Sequence, residues 1–280
     1  MTYGPRPWQQ TQWDWRAAGN FICGGAGSGL IVFTAVSGAR GPVLTALMLA
    51  GLALIGLGLT CVWLEIGRPL RAFNVFFNPR TSWMSREAIA ATLLMPVGFA
   101  SAVAVPELAW LAALIALVFV YCQSRMLQAS KGIVAWREPS LLPLMMTTGL
   151  TEGAGLFWLG ALWHGQATLA LLLLFAALVL VRMLLWRAWR RRLERRAAPR
   201  ALGAIDGAGR TLLIAGTLIP LGASAVAGAG QFGASATMLA AVAGLLATIA
   251  GSWFKFTLVT RAGFNQGFAL THLPIRGARR

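Results

Sequence analysis

Long apolar segments alternate with short polar ones along the whole chain. A membrane-spanning helix needs about 20 mostly apolar residues, because its backbone must satisfy its own hydrogen bonds across roughly 30 Å of hydrocarbon. The pattern predicts eight such segments, near residues 18–39, 43–64, 87–105, 108–129, 141–163, 167–188, 211–229 and 235–258. The predicted fold class is therefore all-α, with eight transmembrane helices in a single membrane domain over residues 1–280.

The polar segments differ in charge on the two sides of this predicted bundle. One side carries both termini and the longer loops, and the other carries only the short joins near 40–42, 106–107, 164–166 and 230–234. Of the 24 lysine and arginine residues, only Arg40 lies on the side of the short joins. The remainder lie on the other side or at helix ends that face it. Because cytoplasmic loops retain positive charge, that other side is predicted to be cytoplasmic.

Both ends of the chain are therefore predicted on the cytoplasmic side. Residues 1–17 form an interfacial N-terminal segment in this prediction, and residues 259–280 form a cytoplasmic tail. Tryptophan is typical of the boundary between hydrocarbon and water, and the N-terminal segment is rich in it.

Composition supports a membrane protein and argues against a nucleic-acid partner. Hydrophobic residues make up 58% of the chain and charged residues 11%, whereas soluble domains carry about 25% charged residues. The formal net charge of +16 is placed beside the apolar segments. Anionic lipid headgroups are the partners expected for basic residues at that position.

The chain offers few side chains that could bind a redox cofactor. Its two histidines, His164 and His272, fall on opposite sides of the predicted bundle, so they cannot hold one haem between them. Its three cysteines, Cys23, Cys61 and Cys122, are isolated and lack any iron–sulfur spacing. We therefore expect no haem, no iron–sulfur cluster and no metal site in this chain.

The segment EIGRPLRAFNVFFNPRTSWMSREA (65–88) carries the most informative group of charges. Glu65 and Glu87 bracket it, and arginines lie between and beside them. One interpretation is an orientation loop with exposed ion pairs. The other is a site for a quinone headgroup, whose two-electron reduction also needs two protons from titratable groups. The residues alone leave both interpretations open.

Two further charges lie within predicted helices. Glu152 falls in the middle of the fifth span, where burying a carboxylate costs at least a few kcal/mol unless it is paired or protonated. It indicates either a polar cavity or proton path, or a protonated side chain bonded to a neighbouring helix. Lys255 is predicted to extend its ammonium toward the cytoplasmic surface.

Small residues and one proline suggest how the helices pack. The glycine-rich segment 24–29 in the first span and the segment 222–230 in the seventh are predicted to allow close helix approach. Pro220 is predicted to kink the seventh span, because proline removes a backbone donor.

Three segments carry a resemblance to a known group of proteins. The stretches GRPLRAF and NPRTSWMSRE (within 67–87), SRMLQASKGIVAWREP (124–139) and FKFTLVTRAGFNQGFALTHLPIRG (254–277) resemble the membrane-anchor subunits of the dimethyl sulfoxide reductase and polysulfide reductase group. The resemblance implies an eight-helix anchor that exchanges electrons with a membrane quinone. It also implies an iron–sulfur, ferredoxin-like partner subunit and a molybdopterin catalytic subunit, which hold the redox cofactors.

The resemblance also implies roles for individual residues. The functional glutamate of the dimethyl sulfoxide reductase anchors matches Glu87, and Glu65 stands where those anchors have a functional histidine. Glu65 and Glu87 are therefore expected to relay protons. Arg68, Arg71 and Ser85 are expected to bind the quinone.

The finer similarity is to the anchor subunit of phenylacetyl-CoA:acceptor oxidoreductase. It implies electron flow from phenylacetyl-CoA to quinone in the bacterial cytoplasmic membrane, through an anchor without a catalytic centre. A cytoplasmic acyl-CoA substrate agrees with the predicted cytoplasmic position of the basic side. The alternatives are an anchor of a sulfur- or S/N-oxide reductase, with flow from quinol to substrate, and a proton-coupled secondary transporter that uses Glu152.

Overall fold

The chain folds into a bundle of long helices. The computed structural model describes residues 4, 6–65, 69–229 and 233–268, without the side chains of residues 69–72. Eight long helices follow in order: α1 (Trp15–Ser37), α2 (Gly41–Glu65), α3 (Trp83–Val103), α4 (Pro106–Ala129), α5 (Leu141–His164), α6 (Leu169–Leu193), α7 (Pro199–Ala229) and α8 (Ala234–Thr260). A 3₁₀ segment, Pro69–Phe77, joins α2 to α3, and one helical turn, Val134–Arg137, joins α4 to α5. The predicted all-α class is confirmed.

Seven of the described helices, all except α5, are long and apolar enough to cross a membrane. The chain is therefore a multi-pass membrane protein. Helix α5 has 24 residues but contains Thr147, Thr148, Thr151 and Glu152 near its middle. It packs against α1, α6 and α8, so much of its surface contacts protein, and that surface does not need to be apolar.

Several helices extend beyond the spans predicted from hydropathy. Helix α3 begins at Trp83 instead of residue 87, because the hydroxyl of Ser82 accepts a hydrogen bond from the backbone of Ser85 and caps the helix. Helix α6 continues to Leu193, and α7 begins at Pro199, well before the predicted residue 211. Hydropathy locates only the apolar part of a helix, so polar ends of this kind are not predicted.

Glycines bring α1 and α5 into backbone contact. A Cβ atom on Gly149 would lie 3.0 Å from the carbonyl oxygen of Gly25, and one on Gly153 would overlap the backbone of Gly29. A Cβ atom on Gly155 would meet the backbone of α8 in the same way. The prediction that the glycine-rich segment of α1 serves close packing is confirmed.

Helix α7 changes its hydrogen-bonding pattern near its centre. It has π-helical geometry over Ile214–Leu218 and returns to α-helix at Ile219. In an α-helix, the carbonyl of Gly216 would accept from residue 220, but Pro220 has no N–H. The sequence predicts a kink at this proline, and the structure has a π turn immediately before it.

The segments outside the outermost helices meet at one end of the bundle. The backbone N–H of Gln10 donates to the carbonyl of Gly263 at 2.8 Å, and that of Asn265 donates to the carbonyl of Trp8 at 3.0 Å. Helix α1 begins at this end, and α2, α4, α6 and α8 finish there. We call it the basic end, because the arginines that terminate α6 also lie here.

Substituting alanine for Gly153 is expected to loosen the bundle, because a Cβ atom there would overlap the backbone of α1. We expect a loss of roughly 1–3 kcal/mol of stability, as overpacking usually causes. Gly56→Ala in α2 is the matched control, since a Cβ atom there would have nothing within 4 Å. Thermal unfolding in detergent should show a lower midpoint for Gly153→Ala only; equal midpoints for the two variants would contradict the packing described.

Candidate functional site

A buried carboxylate lies near the start of α3, close to the basic end. Glu87 is 3% exposed, and its Oε1 accepts hydrogen bonds from Asn20 Nδ2 at 3.1 Å and from Gln123 Nε2 at 3.3 Å. Gln123 Nε2 also donates to the backbone carbonyl of Asn20 at 2.9 Å. Helices α1, α3 and α4 therefore hold this carboxylate in one orientation.

Local sequence explains how these side chains meet. The cap at Ser82 starts α3 and places Ser85 and Glu87 in its first two turns. On α1, a Cβ atom at Gly24 would lie 2.5 Å from Gln123 Nε2, so the missing side chain leaves the space that this amide occupies. The glycine thus leaves room for the amide that binds Glu87.

A small cavity connects the two carboxylates predicted to act together. It has a volume of about 140 Å³, and Glu65 and Glu87 both line it. Asn20, Phe21 and Trp13 form part of the remaining wall. Glu65 is the last residue of α2 and is partly exposed, so the cavity leads from the surface of the basic end to the buried Glu87.

Glu87 also lines a larger groove between α2, α3 and the 3₁₀ segment. The groove has a volume of about 860 Å³, in the range of small-molecule sites. Its lining is mostly apolar and includes exposed aromatic side chains at Trp63, Phe73 and Phe76. Ser85 lies in the same wall as Glu87. The carboxylate of Glu87 therefore stands between a small cavity that Glu65 also lines and a larger, mostly apolar groove.

An aspartate–arginine pair lies beside the cavity. Asp14 caps α1 by accepting from the backbone N–H of Arg16 at 2.8 Å, and its carboxylate pairs with the Arg16 guanidinium at 2.8 Å. This hydrogen-bonded guanidinium lowers the pKa of Asp14. Arg16 also donates to the carbonyl of Leu64, which fixes α1 next to the end of α2 that carries Glu65.

The structure brings together some of the predicted site residues and not others. Glu65, Glu87 and Ser85 line the connected cavity and groove. Arg68 lies outside the described residues, and the side chain of Arg71 is also outside them. Their predicted contacts with a ligand stay predictions.

Among the described residues 69–88 the structure shows no ion pair, and for Arg68 and Arg71 the alternative interpretation of exposed ion pairs stays a prediction. The Arg86 guanidinium donates to the carbonyls of Pro79 and Arg80 and lies 4.1 Å from the ring of Trp83. It makes no ion pair with Glu87, whose described partners are the two amides. Arg86 thus stabilises the backbone conformation of the loop.

Two site residues, Asn20 and Gln123, were missed by the sequence analysis. Both are polar side chains inside apolar helices, and such residues face protein or a cavity in membrane proteins. That signal was present in the sequence. Only the tertiary structure shows that both amides bind the same carboxylate.

A second polar centre lies deeper in the bundle. Lys255 Nζ of α8 pairs with Glu152 Oε2 of α5 at 2.5 Å, and their side chains are 1% and 0% exposed. Lys255 also donates to the carbonyl of Phe21 at 2.9 Å. The prediction that Lys255 extends to the cytoplasmic surface is wrong, because Glu152 and the carbonyl of Phe21 offer its ammonium closer partners inside the bundle.

Arg182 of α6 completes this centre and was also missed. It is fully buried, and its guanidinium donates to the carbonyl of Ala247 at 2.9 Å and to that of Gly216. The second carbonyl is the one left without an α-helical donor by Pro220. The prediction that all basic residues except Arg40 lie at the basic side or at helix ends is therefore wrong for Arg182, as it is for Lys255.

The described residues contain no group of three or more histidine, cysteine or acidic side chains that could hold a metal ion. His164 lies at the end of α5 opposite the basic end, where its ring contacts Phe157 and the backbone of Gln166. His272 lies outside the described residues.

Comparison with known families gives the affiliation of the chain. Residues 16–185 match the family described as DMSO reductase anchor subunit (DmsC). The chain belongs to this family. It is thus a membrane anchor subunit of the molybdoenzyme type, which is the coarser part of the resemblance seen in the sequence. No individually curated protein matches the chain.

The DmsC match covers α1 to α5 and the first part of α6. It includes Asn20, Glu65, Ser85, Glu87 and Gln123, together with Glu152 and Arg182. Lys255 lies beyond the matched residues, so the partner of Glu152 comes from a part of the chain that the family match does not cover.

Proposed function

We propose that this DmsC-family chain is the quinone-interacting anchor of a molybdopterin and iron–sulfur oxidoreductase. The proposal depends on one observation: the buried Glu87 lines both the small cavity that Glu65 also lines and the large apolar groove. A quinone combines a polar ring with a long apolar tail. The ring would meet Glu87, and the tail would lie in the groove.

The proton chemistry of a quinone matches the two carboxylates. Reduction adds two electrons and two protons, one proton to each ring oxygen. Glu87 would transfer protons at the ring, since it is the carboxylate that lines the groove. Glu65 would exchange them with water, since it is partly exposed and lines the same cavity as Glu87. Positioned acid–base groups of this kind contribute roughly 10²–10⁴-fold to a reaction rate.

The electrons would come from partner subunits. The DmsC family implies an iron–sulfur subunit and a molybdopterin catalytic subunit, and the iron–sulfur subunit would dock on the basic end. That end carries Glu65 and the small cavity, together with the stacked rings of Trp13 and Trp136. Arg68 and Arg71 would help to hold the quinone ring.

The orientation proposed places the basic end in the cytoplasm, with eight spans and both termini on that side. Positive charge is retained in the cytoplasm, and the described basic end carries the arginine-rich end of α6. A catalytic subunit on that side could oxidise a cytoplasmic acyl-CoA thioester. We therefore propose phenylacetyl-CoA as the substrate and quinone as the electron acceptor.

The family affiliation also favours a second candidate, an anchor of a sulfur- or S/N-oxide reductase. In that case quinol would be oxidised at the same site, and electrons and protons would flow in reverse. Glu87 would have the same role in quinone reduction and in quinol oxidation, so the proposed site residues are the same for both candidate functions.

Glu87→Gln is expected to block quinone-coupled turnover of the assembled complex by about 10²-fold or more, because the amide cannot carry a proton. Turnover with an artificial dye acceptor, which bypasses this chain, should be retained. Glu107→Gln, which changes an exposed carboxylate at the other end of α3 and α4, is the control. Unchanged quinone turnover in Glu87→Gln would contradict the proposal.

A tryptophan in the groove is expected to weaken quinone binding. Thr92 and Leu93 are adjacent and exposed on α3, but only Thr92 lines the groove. Thr92→Trp should raise the KM for quinone by about tenfold, which corresponds to roughly 1.4 kcal/mol, whereas Leu93→Trp should leave it unchanged. Equal KM values in steady-state assays of the two variants would exclude this groove as the quinone site.

The proposed orientation predicts the activity of alkaline phosphatase fusions, since the enzyme is active only outside the cytoplasm. A fusion after Arg280 should have low activity, and one after Gln166, in the join between α5 and α6, should have high activity. The reverse result would place the basic end outside and remove the argument for an acyl-CoA substrate.

A further inference from the structure

We propose that Glu152, Lys255 and Arg182 form an internal proton-binding site that exchanges its proton with the basic end of the bundle and not with the opposite end. This site is distinct from the Glu87 site and goes beyond the proposed quinone function. It would take up or release one proton in the middle of the protein.

The depth of the site follows from helix geometry. Glu152 lies 11 residues into α5, and at 1.5 Å per residue that is about 16 Å from the helix start. Glu87 lies only four residues into α3, or about 6 Å from its start. Glu152 is therefore close to the middle of a hydrocarbon layer roughly 30 Å thick.

The charges at this depth do not cancel when all three groups are ionised. One carboxylate, Glu152, faces two cations, Lys255 on α8 and Arg182 on α6. The Cys23 thiol of α1 lies near enough to interact with the pair. Helices α2 and α4, which also pack against α5, place no described charged side chain beside Glu152. An excess charge in the membrane interior costs free energy, and loss of one proton from this centre would remove that excess.

The chemistry of the three groups identifies which proton can move. The guanidinium of Arg182 does not lose its proton in proteins, and two carbonyls hold it in place. The exchangeable proton is the one between Lys255 Nζ and Glu152 Oε2, 2.5 Å apart. When it leaves, the carboxylate and the guanidinium remain as an equal and opposite pair. The centre thus has two states that differ by one proton.

The ammonium of Lys255 contacts a residue that also lines the cavity at the basic end. Lys255 Nζ donates to the carbonyl of Phe21, and Phe21 lines the cavity that Glu65 and Glu87 share. Gly25 on α1 leaves the space that the ammonium occupies, because a Cβ atom there would collide with it. The flexible lysine side chain therefore contacts Phe21, which itself lines the cavity, so the basic end is the nearer side for proton exchange.

The other direction is closed by apolar packing. Between Glu152 and the far end of α5 lie Ala154, Phe157, Trp158 and Ala161, all buried in one cluster. Side chains of α1 and α6, including Phe33 and Phe175, complete this cluster. Apolar side chains offer a proton few partners, so exchange should reach the centre from the basic end.

Infrared difference spectroscopy of the full-length chain in sealed vesicles of known orientation tests the proposal without any quinone turnover. Loss of the proton shared by Glu152 and Lys255 changes the hydrogen bonding of the carboxylate, so its stretching band should shift when the pH at the basic end is stepped. The same pH step at the opposite end should leave the band in place.

Variants assign the band. It should be lost in Glu152→Gln, displaced and independent of pH in Lys255→Met, and unchanged in Glu87→Gln and Glu107→Gln. If the first two variants do not fold, Glu152→Asp keeps a carboxylate on a shorter side chain and should show a displaced band. Two results would overturn the proposal. One is that no pH-dependent band responds to substitution at Glu152 or Lys255. The other is a band that follows the pH at the opposite end. Loss of quinone turnover in Glu87→Gln would be a separate result, since it concerns the other site.

Discussion

Burial of charge in a layer that offers no water constrains this bundle more than any other interaction. Glu152 and Lys255 are tolerated at depth because they bind each other, and Arg182 is tolerated because backbone carbonyls receive its donors. Removing one partner of a buried pair costs about 3–5 kcal/mol in soluble proteins. The positions of α1, α5, α6 and α8 are therefore tied to these three side chains.

Glycine and proline make those contacts geometrically possible. Gly25 leaves room for the lysine ammonium, and a Cβ atom on Gly251 would lie 2.8 Å from Glu152 Oε1 and 3.1 Å from Arg182 Nη1. Pro220 leaves the carbonyl of Gly216 without its usual donor, and Arg182 supplies one. The π turn in α7 is thus part of the same arrangement as the ion pair, and π turns are frequent at functional sites.

The two polar centres divide the bundle into layers. Glu87 with its amide partners lies near the basic end, the ion pair lies near the middle, and an apolar cluster fills the far part. The described buried charges therefore lie between the basic end and the middle of the bundle. This arrangement suits the proposed exchange of protons at the basic end. The buried ion pair also explains why α5, which carries Glu152 at its centre, is less apolar than its neighbours.

The sequence by itself determined the helical membrane bundle and the anchor-subunit resemblance, and it singled out Glu65, Glu87 and Glu152 as candidates, because apolar length and isolated charges are local properties. It misplaced the ammonium of Lys255 and overlooked Asn20, Gln123 and Arg182. Their roles depend on neighbours from distant helices, and hydropathy does not say which faces of two helices meet. Only the tertiary structure decided that two amides hold Glu87 and that a lysine from the last helix neutralises Glu152, because glycine contacts set how closely the helices approach.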